Sequence, residues 1–232
     1  MRIIYFYKDA IPDYTEDELA VLSTLAFHAD CRDVCEFSWT QLARWMGIAP
    51  SNWNKVKERL VSAVESLAQR RDLTHLSILS RENTRAVCQL GVESVKEQIG
   101  YVSLSAKEWI PINDVYLNGA RYNMGCDLRL YLYLKSRRVH DRANGVDGCW
   151  AQSHDIQEQL DISAYKWQEA ARRLNAVGAL AWYQQSNGVG DEFDFGKTAQ
   201  SARALSELHI RTLANLHAKL DKSRVIQMPK AQ

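Results

Sequence analysis

Apolar residues recur at helical spacing twice along this chain. From Leu42 to Leu60 and again from Ile156 to Leu174 the same landmarks return at a constant offset of 114 residues. Leu42 falls on Ile156, Met46 on Leu160, Ile48 on Ile162, Trp53 on Trp167, Val56 on Ala170, Arg59 on Arg173 and Leu60 on Leu174. Each copy predicts one short helix, a tight turn at Gly47 or Asp161, and a second helix. The apolar side of that second helix is Trp53, Val56 and Leu60 in one copy and Trp167, Ala170 and Leu174 in the other. The pattern is a helix-turn-helix written twice.

Strand-like runs follow each copy. After the first come Leu73-Thr-His-Leu-Ser-Ile-Leu79, the polar turn Arg81-Glu-Asn-Thr84 and Arg85-Ala-Val-Cys-Gln-Leu90. After the second come Ala179-Leu-Ala-Trp-Tyr183, the turn Ser186-Asn-Gly-Val-Gly190 and Glu192-Phe-Asp-Phe195, and an Asn-Gly step between apolar runs signals a hairpin. Upstream, residues 3–7 predict a strand and residues 11–15 a turn. Thr15 and Glu18 have capping-box spacing, placing a helix from Glu16 to His28. The second helix pair is preceded by a strand over 100–105, a helix over 127–138 and a loop over 140–148. Leu128, Leu130, Leu132 and Leu134 alternate as a strand would, and only the analogy with the first unit makes 127–138 a helix. Pro50 suits the first turn of the helix that follows it, and Thr40 is taken as the start of the helix before. The run from Lys197 to Lys222 predicts one long helix.

The expected fold is therefore mainly α with small β wings, an α+β chain of two domains over 1–98 and 99–196, with a C-terminal helix and tail over 197–232. At 232 residues there is room for two cores, and 46% hydrophobic with 25% charged residues is the composition of an ordinary globular protein. The five cysteines have no Cys-x-x-Cys pair, which fits reduced thiols. The apolar run Ile3–Tyr7 is too short for a secretory core or a membrane span, so a cytoplasmic location is expected.

A formal net charge of +1 argues against DNA binding through the whole surface. Locally the picture changes, because residues 51–71 hold five basic side chains against two acidic ones. With Trp53, Val56 and Leu60 turned inward, the outward face of this helix carries Ser51, Asn52, Asn54, Lys55 and Arg59, with Arg70 and Arg71 beyond its end. Asn matches adenine bidentately, and Lys or Arg reads guanine or holds phosphate. The second copy offers Tyr165, Lys166, Gln168, Glu169, Arg172 and Arg173, near a basic cluster of Lys135, Arg137, Arg138 and Arg142. Any one of these charges read alone is a solvated helix face; Trp53 and Trp167 read as core.

Other chemistry is poorly represented. His28, Cys31, Cys35 and Cys149 lack the paired spacing of a zinc site. Gly-Lys-Thr at 196–198 imitates a phosphate loop with the wrong glycine spacing, and Asp155 reads as a helix cap. No catalytic pattern and no cofactor motif appears.

With Glu16–Leu25, Trp39–Ile48 and Ser51–Leu60 in view, each helix pair with its hairpin resembles a winged helix. The chain is similar to the tandem winged-helix replication initiators of plasmids and phages. The resemblance implies a non-enzymatic, sequence-specific double-stranded DNA-binding protein of a mobile genetic element, acting in DNA replication or transcription regulation. Its units would contact DNA repeats or serve as a homodimer interface, with other replication proteins as partners and no membrane. Carried onto this chain, the family's base-reading positions are Asn52, Asn54 and Lys55, then Lys166, Gln168 and Glu169. The competing expectation is a protein-interaction adaptor that binds a replication or host-defence partner.

Overall fold

The computed structural model describes residues 3–78, 85–90, 100–117, 124–141, 146–184 and 190–195. In chain order the first block holds β1 (Ile3–Tyr7), α1 (Glu16–His28), β2 (Val34–Ser38), α2 (Trp39–Trp45), α3 (Trp53–Gln69), β3 (Leu73–Ile78) and β4 (Arg85–Leu90). There follow β5 (Tyr101–Ser105), α4 (Ala106–Leu117), α5 (Met124–Ser136), β6 (Val139–Asp141), β7 (Val146–Ala151), α6 (Ser153–Leu160), α7 (Ala164–Ala176), β8 (Ala181–Tyr183) and β9 (Asp191–Asp194). The protein is a mixed α+β chain, and among the described residues no helix is long and apolar enough to cross a membrane.

The two halves share one connectivity. In each, a helix is followed by a strand, two helices and two further strands, the second half adding the short β6 ahead of β7, and the last strand pairs between the other two. The antiparallel orders are β2-β4-β3 and β6-β7-β9-β8, so β7, β9 and β8 correspond to β2, β4 and β3. The offset of 114 residues holds down to single hydrogen bonds. Gly47 (φ 70°) and Asp161 (φ 47°) both end the earlier helix of the pair in the left-handed region. Ile48 N then donates to Ala43 O at 2.8 Å, and Ile162 N to Gln157 O at 3.2 Å. A left-handed residue is what lets the chain leave one helix and enter the next without losing the last carbonyls. Leu42, Met46, Leu60, Ile156, Leu160 and Leu174 all lie in the core.

Local signals fix the helix starts. At α1, Thr15 N donates to Glu18 Oε2 at 2.6 Å while Glu18 N donates to Thr15 Oγ1 at 3.2 Å, the reciprocal capping box the spacing predicts. Pro50 sits in a 3₁₀ turn, Pro50–Asn52, that leads into α3, and residues 11–13 form another. The helix expected from Thr40 begins at Trp39 because Ser38 is its cap, accepting from Gln41 N at 3.1 Å. Asp155 is not a cap: it lies in the first turn of α6, where its charge faces the helix's positive end, and Gln152 holds the N-cap position.

Two stretches differ from expectation. Within the predicted loop over 140–148, residues 140–141 and 146–148 are strand: β6 pairs with β7 in the register Val139↔Gly148, His140↔Asp147 and Asp141↔Val146, and Arg138 forms an ion pair with Asp147. The helix α4, with Pro111 inside it, has no counterpart in the predicted elements. Its start is nonetheless encoded, because Ser105 N and Ser105 Oγ donate to Glu108 Oε2 at 2.8 and 2.7 Å. The turns over 81–84 and 186–189, the boundary placed near Gln98, Arg142 and the tail over 197–222 lie outside the described residues.

The centre of the molecule is the contact of α1 with α5. Helix α1 packs on α3 and α5, and α5 on α1 and α7. Both central helices are therefore buried on nearly every side, Leu19 to Ala26 in one and Gly125 to Leu134 in the other apart from half-buried Arg129. That explains the Leu-x-Leu pattern: a helix enclosed all round needs no polar stripe. Gly125 marks the closest approach, since a Cβ there would stand 2.0 Å from Glu16 O. A second link joins the halves, the antiparallel pair β1–β5 from Ile3↔Ser105 to Tyr7↔Tyr101.

Candidate nucleic-acid interface

Helix α3 is amphipathic, with Leu60, Ala63, Val64 and Leu67 buried against the core and Trp53 and Val56 half-buried at its start. The opposite face is exposed. Ser51, Asn52, Asn54, Lys55, Lys57 and Arg59 stand in solvent at the N-terminal end. Lys55 and Lys57 have no ion-pair partner among the described residues. This is a compact set of hydrogen-bonding and cationic groups at a helix end.

Several of the other cations named from sequence are engaged within the protein. Arg59 donates from Nε and one terminal nitrogen to the two Asp17 carboxylate oxygens, at 2.8 and 2.9 Å. Arg70 donates to Asp13 O at 2.7 Å, lies 3.8 Å from the buried Glu18 carboxylate, and covers the Tyr14 ring at 4.9 Å. Arg71 is exposed, at φ 65° just past the end of α3. In the earlier basic cluster, Lys135 pairs with Glu108 and Arg137 lies over the Tyr133 ring at 4.8 Å.

Helix α7 differs from α3 more than the repeat implies. Tyr165 is 74% exposed, but Gln168 is half-buried. Lys166 forms an ion pair with Glu16, 150 residues away on α1. Arg172 pairs with Glu169 and lies 5.9 Å from the centre of the Trp182 ring. Arg173 grips Asp127 through three contacts of 2.8 to 3.2 Å, and that carboxylate is buried. The Trp167 indole is core, its Nε1 donating to Ser153 Oγ at 3.2 Å.

A cleft of about 370 Å³ opens where the halves meet, between the N-terminal end of α1 and the turn that follows α6, lined by Asp13, Tyr14, Thr15, Glu16, Asp17, Arg129 and Asp161. Arg129 spans it, donating to Pro12 O at 2.5 Å and Leu160 O at 2.7 Å. The residues His28, Cys31 and Cys35 are not assembled for metal binding. The imidazole Nδ1 lies 2.8 Å from Thr24 O, and the ring stacks on Trp45 at 4.1 Å; burial lowers its pKa. Cys35 is buried while Cys31 faces solvent, and no His, Cys, Asp and Glu grouping among the described residues has metal-site geometry. No protein-family model and no curated protein matches the chain.

Proposed function

We propose that this is a sequence-specific double-stranded DNA-binding protein of a mobile genetic element, built from two winged-helix modules in tandem and serving as replication initiator or transcriptional regulator. The observation that carries the proposal is the exposed N-terminal end of α3, where Ser51 and Asn52 in the 3₁₀ turn and Asn54 and Lys55 in the first helical turn all face solvent. A helix of that placement fits the major groove, and those side chain types match base edges and phosphates. The shared connectivity of the two halves supports the modular part of the reading. Selection from a randomised duplex library by the full chain is expected to enrich a defined sequence, and binding to it should weaken steeply with salt. Lys55→Ala should lower the salt slope by about one unit. A library left unenriched, with no salt-dependent binding, would remove the assignment.

The internal matching of Lys166, Arg172 and Arg173, together with the net charge of +1, favours one competing reading, an adaptor that binds a replication or host-defence protein. Under that reading α3 variants change binding to a protein partner and duplex DNA has no effect.

A further inference from the structure

We infer that the two helix pairs are not equivalent readers: α3 alone presents base-reading groups to a duplex, and α7 is a brace that locks the second half onto the first. The inference rests on the DNA-binding reading and deepens it by assigning the reading residues to one module.

Three observations carry it. The first is how each cation is used. At the N-terminal end of α3, Lys55 and Lys57 have no carboxylate partner among the described residues, and Asn52 and Asn54 are exposed beside them. On α7 each cation is already matched: Lys166 to Glu16, Arg172 to Glu169, and Arg173 to Asp127. A phosphate approaching α7 competes with a carboxylate for every one of them, whereas a phosphate approaching Lys55 displaces only water and counterions.

The second observation is the surroundings of the α7 N-terminus, the part a recognition helix inserts deepest. It borders the cleft that holds Asp13, Glu16, Asp17 and Asp161. Lys166 and Arg59 match Glu16 and Asp17, and the Arg129 guanidinium is turned to the Pro12 and Leu160 carbonyls. The cleft thus gathers four carboxylates against Arg129 and the two cations that reach into it, leaving little positive charge for a phosphate backbone at this end. At the start of α3 the acid nearest in sequence is Glu58, one turn beyond Asn54 and Lys55.

The third is that the ion pair of Lys166 crosses between the halves, while Lys55 has no ion-pair partner among the described residues. Lys166 extends from α7 to the first turn of α1, beside the point where Gly125 lies against Glu16 O. A base contact by Lys166 would have to break this link between the halves.

The test compares two sets of substitutions in the full chain on the duplex enriched by the wild type, using fluorescence anisotropy across a salt series. Asn52→Ala with Lys55→Ala should weaken binding by at least tenfold and lower the salt slope. Tyr165→Ala with Arg172→Ala, both exposed and outside the joint, should change affinity less than twofold and leave the slope alone. A selection repeated with Asn52→Ala should yield a different enriched sequence, and one repeated with Tyr165→Ala the same sequence as the wild type. Equal losses from both sets, or a sequence preference altered by Tyr165→Ala, overturns the inequality of the modules while leaving DNA binding in place. A wild-type chain that binds no duplex removes the parent reading and this one with it.

Discussion

At the scale of single residues, burial decides which side chains keep their ordinary chemistry. Cys88, Cys126 and Cys149 are enclosed, and loss of hydration pushes each thiol up to about 12. Cys35 is buried as well, whereas Cys31 is exposed. An alkylating reagent at neutral pH should therefore add once to the folded chain, at Cys31, and five times after denaturation, as read by mass spectrometry; rapid labelling of Cys88 or Cys149 in the native protein would contradict their placement. Glu108 shows the opposite balance. Burial opposes its ionisation, but the Lys135 ammonium and the hydrogen bonds from Lys135 and Ser105 outweigh that, holding its pKa below the ordinary 4.5. A carboxylate depressed in the folded state stabilises at pH above its unfolded value and loses that contribution as pH falls through the folded one. Glu108→Gln should thus destabilise by about 2–4 kcal/mol at neutral pH, because it leaves Lys135 enclosed without its partner. The gap from wild type should close below pH 4.5, and urea titrations at several pH values would show whether it does.

At the scale of elements, the repeat was legible wherever a feature is local. The capping box of α1, the left-handed turns at Gly47 and Asp161, and the apolar sides of α3 and α7 depend on residues within a few positions of one another. The β6–β7 pair was not legible, since β6 is three residues long and ends on a charged Asp141, and α4 was hidden by Pro111. Ion pairing was illegible for a different reason. Arg59 and Arg173 look alike in sequence, but their partners are 42 and 46 residues away and differ in environment. Asp127 is only 3% exposed and Arg173 24%, while Arg59 is 55% exposed. Arg59→Ala should cost less than about 1 kcal/mol, as surface pairs do. Arg173→Ala, which removes the cation paired with a buried carboxylate, should cost about 3 kcal/mol or more. Denaturant midpoints measure both, and equal effects would show that position in the repeat, not burial, sets their worth.

For the whole molecule, the question is whether the halves act as one body. Sequence spacing divides the chain in two, yet α1 and α5 share a core, β1 pairs with β5, and Lys166 joins Glu16 across the division. Gly125 is where that union is most constrained, because the obstacle to any side chain is the Glu16 backbone, which cannot rotate aside as a flexible side chain would. Gly125→Ala should force α5 away from the first turn of α1 and destabilise by about 1–3 kcal/mol, the usual range for overpacking. The same displacement would draw the α7 N-terminus from Glu16. A double-mutant cycle on Glu16→Gln and Lys166→Met should therefore give a coupling energy in the wild-type background and little or none beside Gly125→Ala. Because each half buries the other's central helix, the wild type should unfold in one transition, and loosening the joint should separate it toward two. A Gly125→Ala chain with unchanged midpoint and intact Glu16–Lys166 coupling would mean that the halves are merely tethered, and that α7 is free to approach DNA independently of α3.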